Sequence, residues 1–322
     1  MGTELLERVR RACKEVSERA RYVQIDSSRI SAYAKSLPLE QITSPELDSD
    51  THYLGCGQDT VAFLITLDAI NFGSGYFPHL RKKPNKSGYF TIASSLTEFY
   101  RKHGPLSAQQ LVQLDAGNCA RIFAQDPENK PVAELMQLFA SALNDLGRYL
   151  LGRFEGSFTR LVESAGGSAA ELASHLIEMP FFDDVLSYDE LSVPFFKRAQ
   201  ITAADLAIAF DGKGFGRFND LHRLTIFADN LVPHVLRVDG ILLYDETLAA
   251  RIDSAQLIPA GSREEVELRA SAVHAVELMA QELISEGRDI CPMKLDYLLW
   301  NRGQQPYYKQ IHPRHRTRTV FY

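Results

Sequence analysis

The run FADNLVPHVL, residues 227–236, sets one acid, Asp229, among apolar neighbours with Pro233 and His234. Burying a carboxylate costs several kcal/mol unless the charge is paired or used. A neighbouring guanidinium, Arg223 or Arg237, would pair it. Used instead, an ionised carboxylate in a low-dielectric pocket can stabilise a developing cation, attack as a nucleophile or orient a water. Asp296, in LDYLLW, is a second acid in apolar company, and by itself it could cap a helix. PFFKRAQI places Lys197 beside Arg198 ahead of a helix, where a solvated pair is the ordinary outcome. Phe72, Phe227 and Trp300 offer flat faces that could stack on a ring or simply fill a core. His52, in DTHYLG, is a lone imidazole of the kind usually found in structural roles. His312 and His315 are too few for a zinc site without nearby acids or thiols. Glu267, His274 and Glu277 share one polar helical stripe expected to face solvent, with a network to Arg269 as the alternative.

The elements that must position these residues are mostly helices. Leu5, Val9, Cys13, Val16 and Ala20 recur at helical spacing, and Val132, Leu135, Met136, Phe139, Leu143, Leu146 and Leu150 do so behind Pro131, a residue suited to the first helical position. Ser168 with Glu171 and Ser262 with Glu265 read as capping boxes, Thr202 with Asp205 as a weaker one, and Gly287 as a left-handed stop. Strand candidates are few: RYVQI (21–25), ILLY (241–244) and the final RTVFY (318–322). The expected fold class is mainly α, a helical bundle with a minor β element. The loops at 73–88 and 211–217 are too short and varied to be interdomain linkers, so residues 1–322 read as a single domain with a soft subdivision near 155–167.

With 322 residues and 45% hydrophobic composition the chain can bury a large core. Lys and Arg total 35 against 41 Asp and Glu, a net charge of −6, which disfavours a nonspecific grip on nucleic acid. Cys13, Cys56, Cys119 and Cys291 form no C-x-x-C pair and suggest reduced thiols in a cytosol. No run approaches the length of a membrane span, and the charged start MGTELLERVRR lacks a signal peptide's apolar stretch, so a soluble, cytoplasmic protein is expected.

Residues 201–236 read as a helix, a turn with Gly212, Gly214 and Gly216, a second helix capped by Asn219, and then Asp229. That order resembles the helix-hairpin-helix DNA glycosylases, although DGKGFG departs from their usual hairpin. The stretches INFGSGYF (70–77), PFFKRAQI (194–201), RLTIFADNLVPHVL (223–236), EVELRASAVHAVE (265–277), LDYLLW (295–300) and the ending HRTRTVFY together resemble the queuosine salvage protein family. The resemblance spans nearly the whole chain. It implies a fold similar to the helical DNA glycosylases and hydrolysis of queuosine 5′-phosphate to free queuine, without metal or cofactor. It further implies that Asp229 is the catalytic carboxylate, that Phe227 contacts the base, and that Phe72 and Trp300 can stack on it. On the same grounds Asp296 binds the base and its amine-bearing arm, His52 lies at the substrate, and Lys197 meets the 5′-phosphate with Arg198 or His234 as helper. Asn301 stands where the family pattern carries an acid, which removes a second carboxylate from that position. The implied partner is a small molecule, queuosine 5′-phosphate or queuine, rather than a nucleic acid polymer or a membrane. The basic tail at 303–322 is expected to fold back as a strand rather than form a nucleic-acid patch. Two alternatives remain at this level: a DNA glycosylase acting on a flipped base, and a noncatalytic carrier of queuine.

Overall fold

In the computed structural model, which describes residues 2–42 and 47–322, the elements follow in the order α1 (Gly2–Arg19), β1 (Val23–Ile25), α2 (Ser27–Ser36), α3 (Gln58–Ala69), α4 (Gly88–His103), α5 (Ala108–Val112), α6 (Ala116–Ile122), α7 (Lys130–Phe154), α8 (Phe158–Ser164), α9 (Ala169–Leu176), β2 (Val185–Tyr188), β3 (Leu191–Pro194), α10 (Lys197–Ala209), α11 (Leu231–Val238), β4 (Leu242–Tyr244), α12 (Glu246–Asp253), α13 (Arg263–Ser285), α14 (Pro292–Gln304) and α15 (Pro306–Ile311). The fold is mainly helical, as the periodicity predicts. On α1, Leu5, Val9, Cys13 and Val16 are buried, and this face lies on α13 and α9. All seven stripe residues of α7 are buried, each contributing roughly 1.5–3 kcal/mol, and α5 and α6 pack along that helix. No helix among the described residues is long and apolar enough to cross a membrane.

Caps set the helix boundaries. Ser168 Oγ accepts from Glu171 N, and Ser262 Oγ accepts from Glu265 N at 3.3 Å. Gly287 takes φ +80° just past α13. Thr202 does not open a helix: its hydroxyl donates to the Arg198 carbonyl at 2.8 Å inside α10. That helix begins earlier because Asp184 supplies the anion at its N-terminus, accepting from Lys197 N at 3.3 Å.

Strands β1 and β4 pair antiparallel, Val23 with Tyr244 and Ile25 with Leu242, as RYVQI and ILLY suggest. A second hairpin, β2 with β3, turns at Asp189, which adopts φ +51°. The final RTVFY is not a strand. Residues 313–322 run extended with one isolated parallel bridge, Leu257 to Arg316, and bury His315, Thr317 and Thr319 alternately. The period of two is that of a chain packed on one side without a partner strand. Gly73 N donates to the Tyr322 carbonyl at 2.9 Å, and a Cβ on Gly75 would stand 2.3 Å from the Thr317 carbonyl oxygen. The 70–77 loop is thus glycine-bearing because the tail backbone lies directly on it.

The segment after α10 departs most from expectation. Gly214–Gly216 and Leu221–Arg223 are single 3-10 turns, and Asn219 caps nothing but bonds the Gly167 carbonyl through its N–H. Asp220 reaches back to the N-terminus of α9, accepting from Ala169 N at 2.6 Å and from Ser168 Oγ at 2.7 Å. With those groups committed elsewhere, residues 224–228 form no helix, the chain bends at 229–230, and the second helix of the series is α11, which follows Asp229 instead of preceding it.

Candidate active site

Asp229 sits at the mouth of α11. Its Oδ1 accepts from Leu231 N at 2.7 Å and Val232 N at 3.3 Å, so the positive end of a helix holds the carboxylate. Its Oδ2 accepts no hydrogen bond among the described residues. Neither arginine pairs with it: Arg237 bonds Asp253 at 3.0 Å, and Arg223 stands 3.8 Å from Glu7. The flanking residues are fixed from three directions. Arg269 Nε donates to the Ala228 carbonyl at 2.9 Å. Phe227 N donates to Asp296 Oδ1 at 2.9 Å. Asn230 Nδ2 donates to Ser74 Oγ at 3.1 Å and to the His315 carbonyl at 3.0 Å, tying the glycine loop and the tail to this point.

Lys197, Asp296 and Arg314 all lie within electrostatic reach of Asp229. Burial pushes the Asp296 carboxyl well above its usual range, and the negative charge of Asp229 adds to that, with the Phe227 N–H and Lys197 opposing. The two acids therefore differ in setting: Asp229 is held by backbone N–H groups at the start of α11, whereas burial favours Asp296 as a carboxylic acid able to donate. Lys197 is buried, and its Nζ donates to the Asn71 carbonyl at 3.3 Å. Burial lowers this ammonium's pKa, while Asp229, Asp68 and Asp205 pull it back up. No ion pair joins Lys197 to an acid among the described residues, so the charges face one another across a gap. Burial likewise lowers Arg314, and Asp229 opposes the shift.

Aromatic groups adjoin these charges, with Tyr89 and Tyr297 within electrostatic reach of Asp68 and Asp205. Phe227 packs edge-on to Tyr297 at 5.8 Å. His52 Nε2 meets the Tyr89 hydroxyl at 3.0 Å, and burial lowers its imidazole pKa, keeping it neutral. Trp300 stands edge-on to Phe90 at 6.4 Å, and Phe90 in turn to Tyr89 at 5.2 Å. The structure therefore gathers Asp229, Lys197, Phe227 and Asp296, with His52 and Trp300 along the adjoining aromatic wall.

Other expected residues lie elsewhere. Phe72 is core, edge-on to Phe139 at 5.2 Å and under Arg198 at 4.9 Å. Arg198 is buried and spends its guanidinium on the carbonyls of Ala69 at 2.5 Å, Val320 at 2.8 Å and Phe181, a latch rather than a solvated neighbour of Lys197. His234 Nε2 bonds the Tyr308 carbonyl at 2.6 Å, and burial holds its pKa down at about 4, so it is neutral. Asn301 is exposed on α14. Glu267 is no surface group: its Oε2 accepts from Arg21, Tyr22 and Val23 N–H groups and its Oε1 from the Tyr188 hydroxyl at 2.8 Å. Nor does the tail form a free basic patch, since His312 meets Asp253 at 3.4 Å and Arg318 meets Glu134 at 3.7 Å.

Sequence reading misses Asp68, Asp205, Tyr89, Tyr297 and Arg314. Asp68 stands out only in hindsight, as a single acid in the apolar run VAFLITLDAINF. Two open surface clefts, one beside Arg148 and Glu178 and the other beside Gln58 and Thr159, share no residue with this cluster.

A sequence profile described as "Queuosine salvage protein" matches residues 51–322. The chain is 36% identical over 314 residues, 96% of each chain, to a protein of Sphaerobacter thermophilus named queuosine 5′-phosphate N-glycosylase/hydrolase. Proteins of the same name from Dictyostelium discoideum and Bos taurus are 31% and 29% identical, over 82% and 97% of this chain and 78% and 98% of their own.

Proposed function

This chain belongs to the queuosine salvage protein family, and from that premise we propose that it hydrolyses the N-glycosidic bond of queuosine 5′-phosphate, releasing queuine and ribose 5-phosphate. The observation that carries this reading is the unengaged Oδ2 of Asp229 together with the buried Asp296, whose carboxyl burial pushes upward. Cleavage of a ribosyl C1′–N bond builds positive charge on the sugar, and a fixed anion supported by α11 stabilises that charge more than the neutral ground state. A 7-deaza base has no ring N7 to accept a proton, so charge on the leaving base is met at another atom, for which the neutral carboxyl of Asp296 is a donor.

Phe227 and Trp300 flank the base and His52 bonds the substrate. Lys197 and Arg314 are cations facing Asp229, and Arg314, which senses no further acid among the described residues, takes the 5′-phosphate with Lys197 as the second charge. The enzyme acts in the cytoplasm on the free nucleotide rather than on a nucleic acid polymer, in keeping with a net charge of −6 and four free thiols.

Purified wild type and Asp229→Asn, incubated with queuosine 5′-phosphate and assayed by mass detection of free base, test this directly. Base release should fall by about 10³-fold in the variant. Undiminished turnover removes Asp229 from the reaction. Tight binding without cleavage by the wild type identifies a carrier, and tight, steeply salt-dependent binding of duplex DNA a DNA glycosylase.

A further inference from the structure

Asp68 and Asp205 are buried acids that no helix cap and no ion pair employs among the described residues. Asp68, in the last turn of α3, is fully buried; Thr202 and Asn71 are its polar neighbours, but neither of its oxygens meets a donor at full hydrogen-bonding geometry among the described residues. Asp205 lies two turns along α10 from Lys197 and is buried as well. The two acids act on each other's charge. Tyr297, from α14, and Tyr89, from the first turn of α4, both face the pair. The Tyr297 hydroxyl is shielded from water and has no partner among the described residues, while the Tyr89 hydroxyl is met by His52.

The packing of α3, α4, α10 and α14 therefore brings acid oxygens and a phenol within electrostatic reach of one another, of Asp296 and of Lys197, which in turn senses Asp229. Against four carboxyls stand Arg314, which faces Asp229, and Lys197, with its own Nζ on a backbone carbonyl; the nearby Arg198 is spent on other carbonyls. Leaving a buried acceptor unmade costs roughly 1–3 kcal/mol, a cost that an occupant bringing donors and positive charge would remove. Among the described residues no three such side chains converge closely enough to hold a metal ion, which favours an organic cation.

We propose that Asp68 and Asp205, with the Tyr297 hydroxyl, form the subsite for the positively charged amine on the arm of the substrate's base, and so set the preference for an armed base over a bare one. This rests on reading the Asp229 site as one for a queuine nucleotide. The acid that the family pattern carries where this chain has Asn301 is then unnecessary, because the charge is met from α3 and α10.

The test compares kcat/KM for queuosine 5′-phosphate with that for 7-deazaguanosine 5′-phosphate, which lacks the arm. In Asp205→Asn and in Asp68→Asn the preference for the armed nucleotide should fall about 30-fold, mostly through KM. An unchanged preference, whether both activities drop together or neither moves, overturns the proposal. Thermal shifts by free queuine and by 7-deazaguanine need no turnover and read the same preference: queuine should stabilise the wild type more, and the variants should lose that difference. A preference retained in the variants sinks the subsite. If the wild type cleaves neither nucleotide, the glycosylase reading falls, and the thermal comparison still decides the amine subsite. Should either variant fail to fold, Tyr297→Phe is expected to lower the same preference by a smaller factor, and no change there counts against the proposal.

Discussion

Two groups of buried charge lie close together in this molecule and are built in opposite ways. Arg269 donates to both oxygens of Asp184, at 2.9 and 2.6 Å, and to the Ala228 carbonyl, while its guanidinium faces Phe195 at 4.0 Å and Tyr322 at 4.7 Å. Lys197, Asp68, Asp205 and Asp296, equally hidden from water, touch no opposite charge among the described residues. The first group is saturated and holds the chain in place. The second keeps unspent hydrogen-bonding capacity around a gap. Burial of charge alone therefore does not mark chemistry; burial without counter-contact does.

The strongest way to break this contrast is at the saturated pair. Arg269→Met leaves Asp184 buried without its partner and should cost about 3–5 kcal/mol of stability, read by urea denaturation. A cost under about 1 kcal/mol would mean that the pair is not the structural element its contacts describe.

A smaller effect of opposite sign is expected from the unsaturated group. Burial raises the Asp68 carboxyl from 3.8 to about 7 in the folded chain, with Lys197 opposing. Between those values the native state keeps a proton that the unfolded chain has released, so this group's contribution is fully favourable at low pH and is lost as pH rises through the window. Asp68→Asn, which mimics the protonated acid, should be more stable than wild type at pH 8, on the order of 1–3 kcal/mol, with the gap closing toward pH 4. Thermal denaturation at both pH values checks the sign. A variant less stable than wild type at pH 8 would show that Asp68 is compensated after all.

The smallest effect separates two basic residues near Asp229. Arg314→Gln should raise KM for the 5′-phosphate about tenfold relative to the nucleoside. His234→Gln, whose imidazole is neutral and committed to Tyr308, should leave that ratio unaltered. Equal responses would erase the distinction between spent and available groups at this end of the site.

Local pattern carried most of the helices into view. The α1 and α7 stripes and the Ser168 and Ser262 caps are determined by near neighbours in sequence, whereas β1 and β4 are legible as strands but not as partners, because their pairing joins residues far apart in the chain. Asp229 was legible because an acid in an apolar run demands a reason. Asp68 and Asp205 were not, since each sits on a helix whose other residues read as ordinary core, and only the packing of α3 on α10 brings them together. His234 misled because an imidazole beside the acid reads as a helper until the Tyr308 carbonyl is seen to occupy it. RTVFY misled because strand-like alternation also serves an extended chain packed on one side. Asn219 could not announce that the groups around it serve α9.

The contact of Gly73 and Gly75 with residues 317–322 bears on how the working molecule comes into being. Residues 73–75 and 317–322, far apart in sequence, must meet there, a closure whose entropic cost is met late and only when that clasp engages. Helical hydrogen bonds are local and can form without it. A molecule can thus possess nearly all of its secondary structure while Asn230, and the acid beside it, still lack their final support.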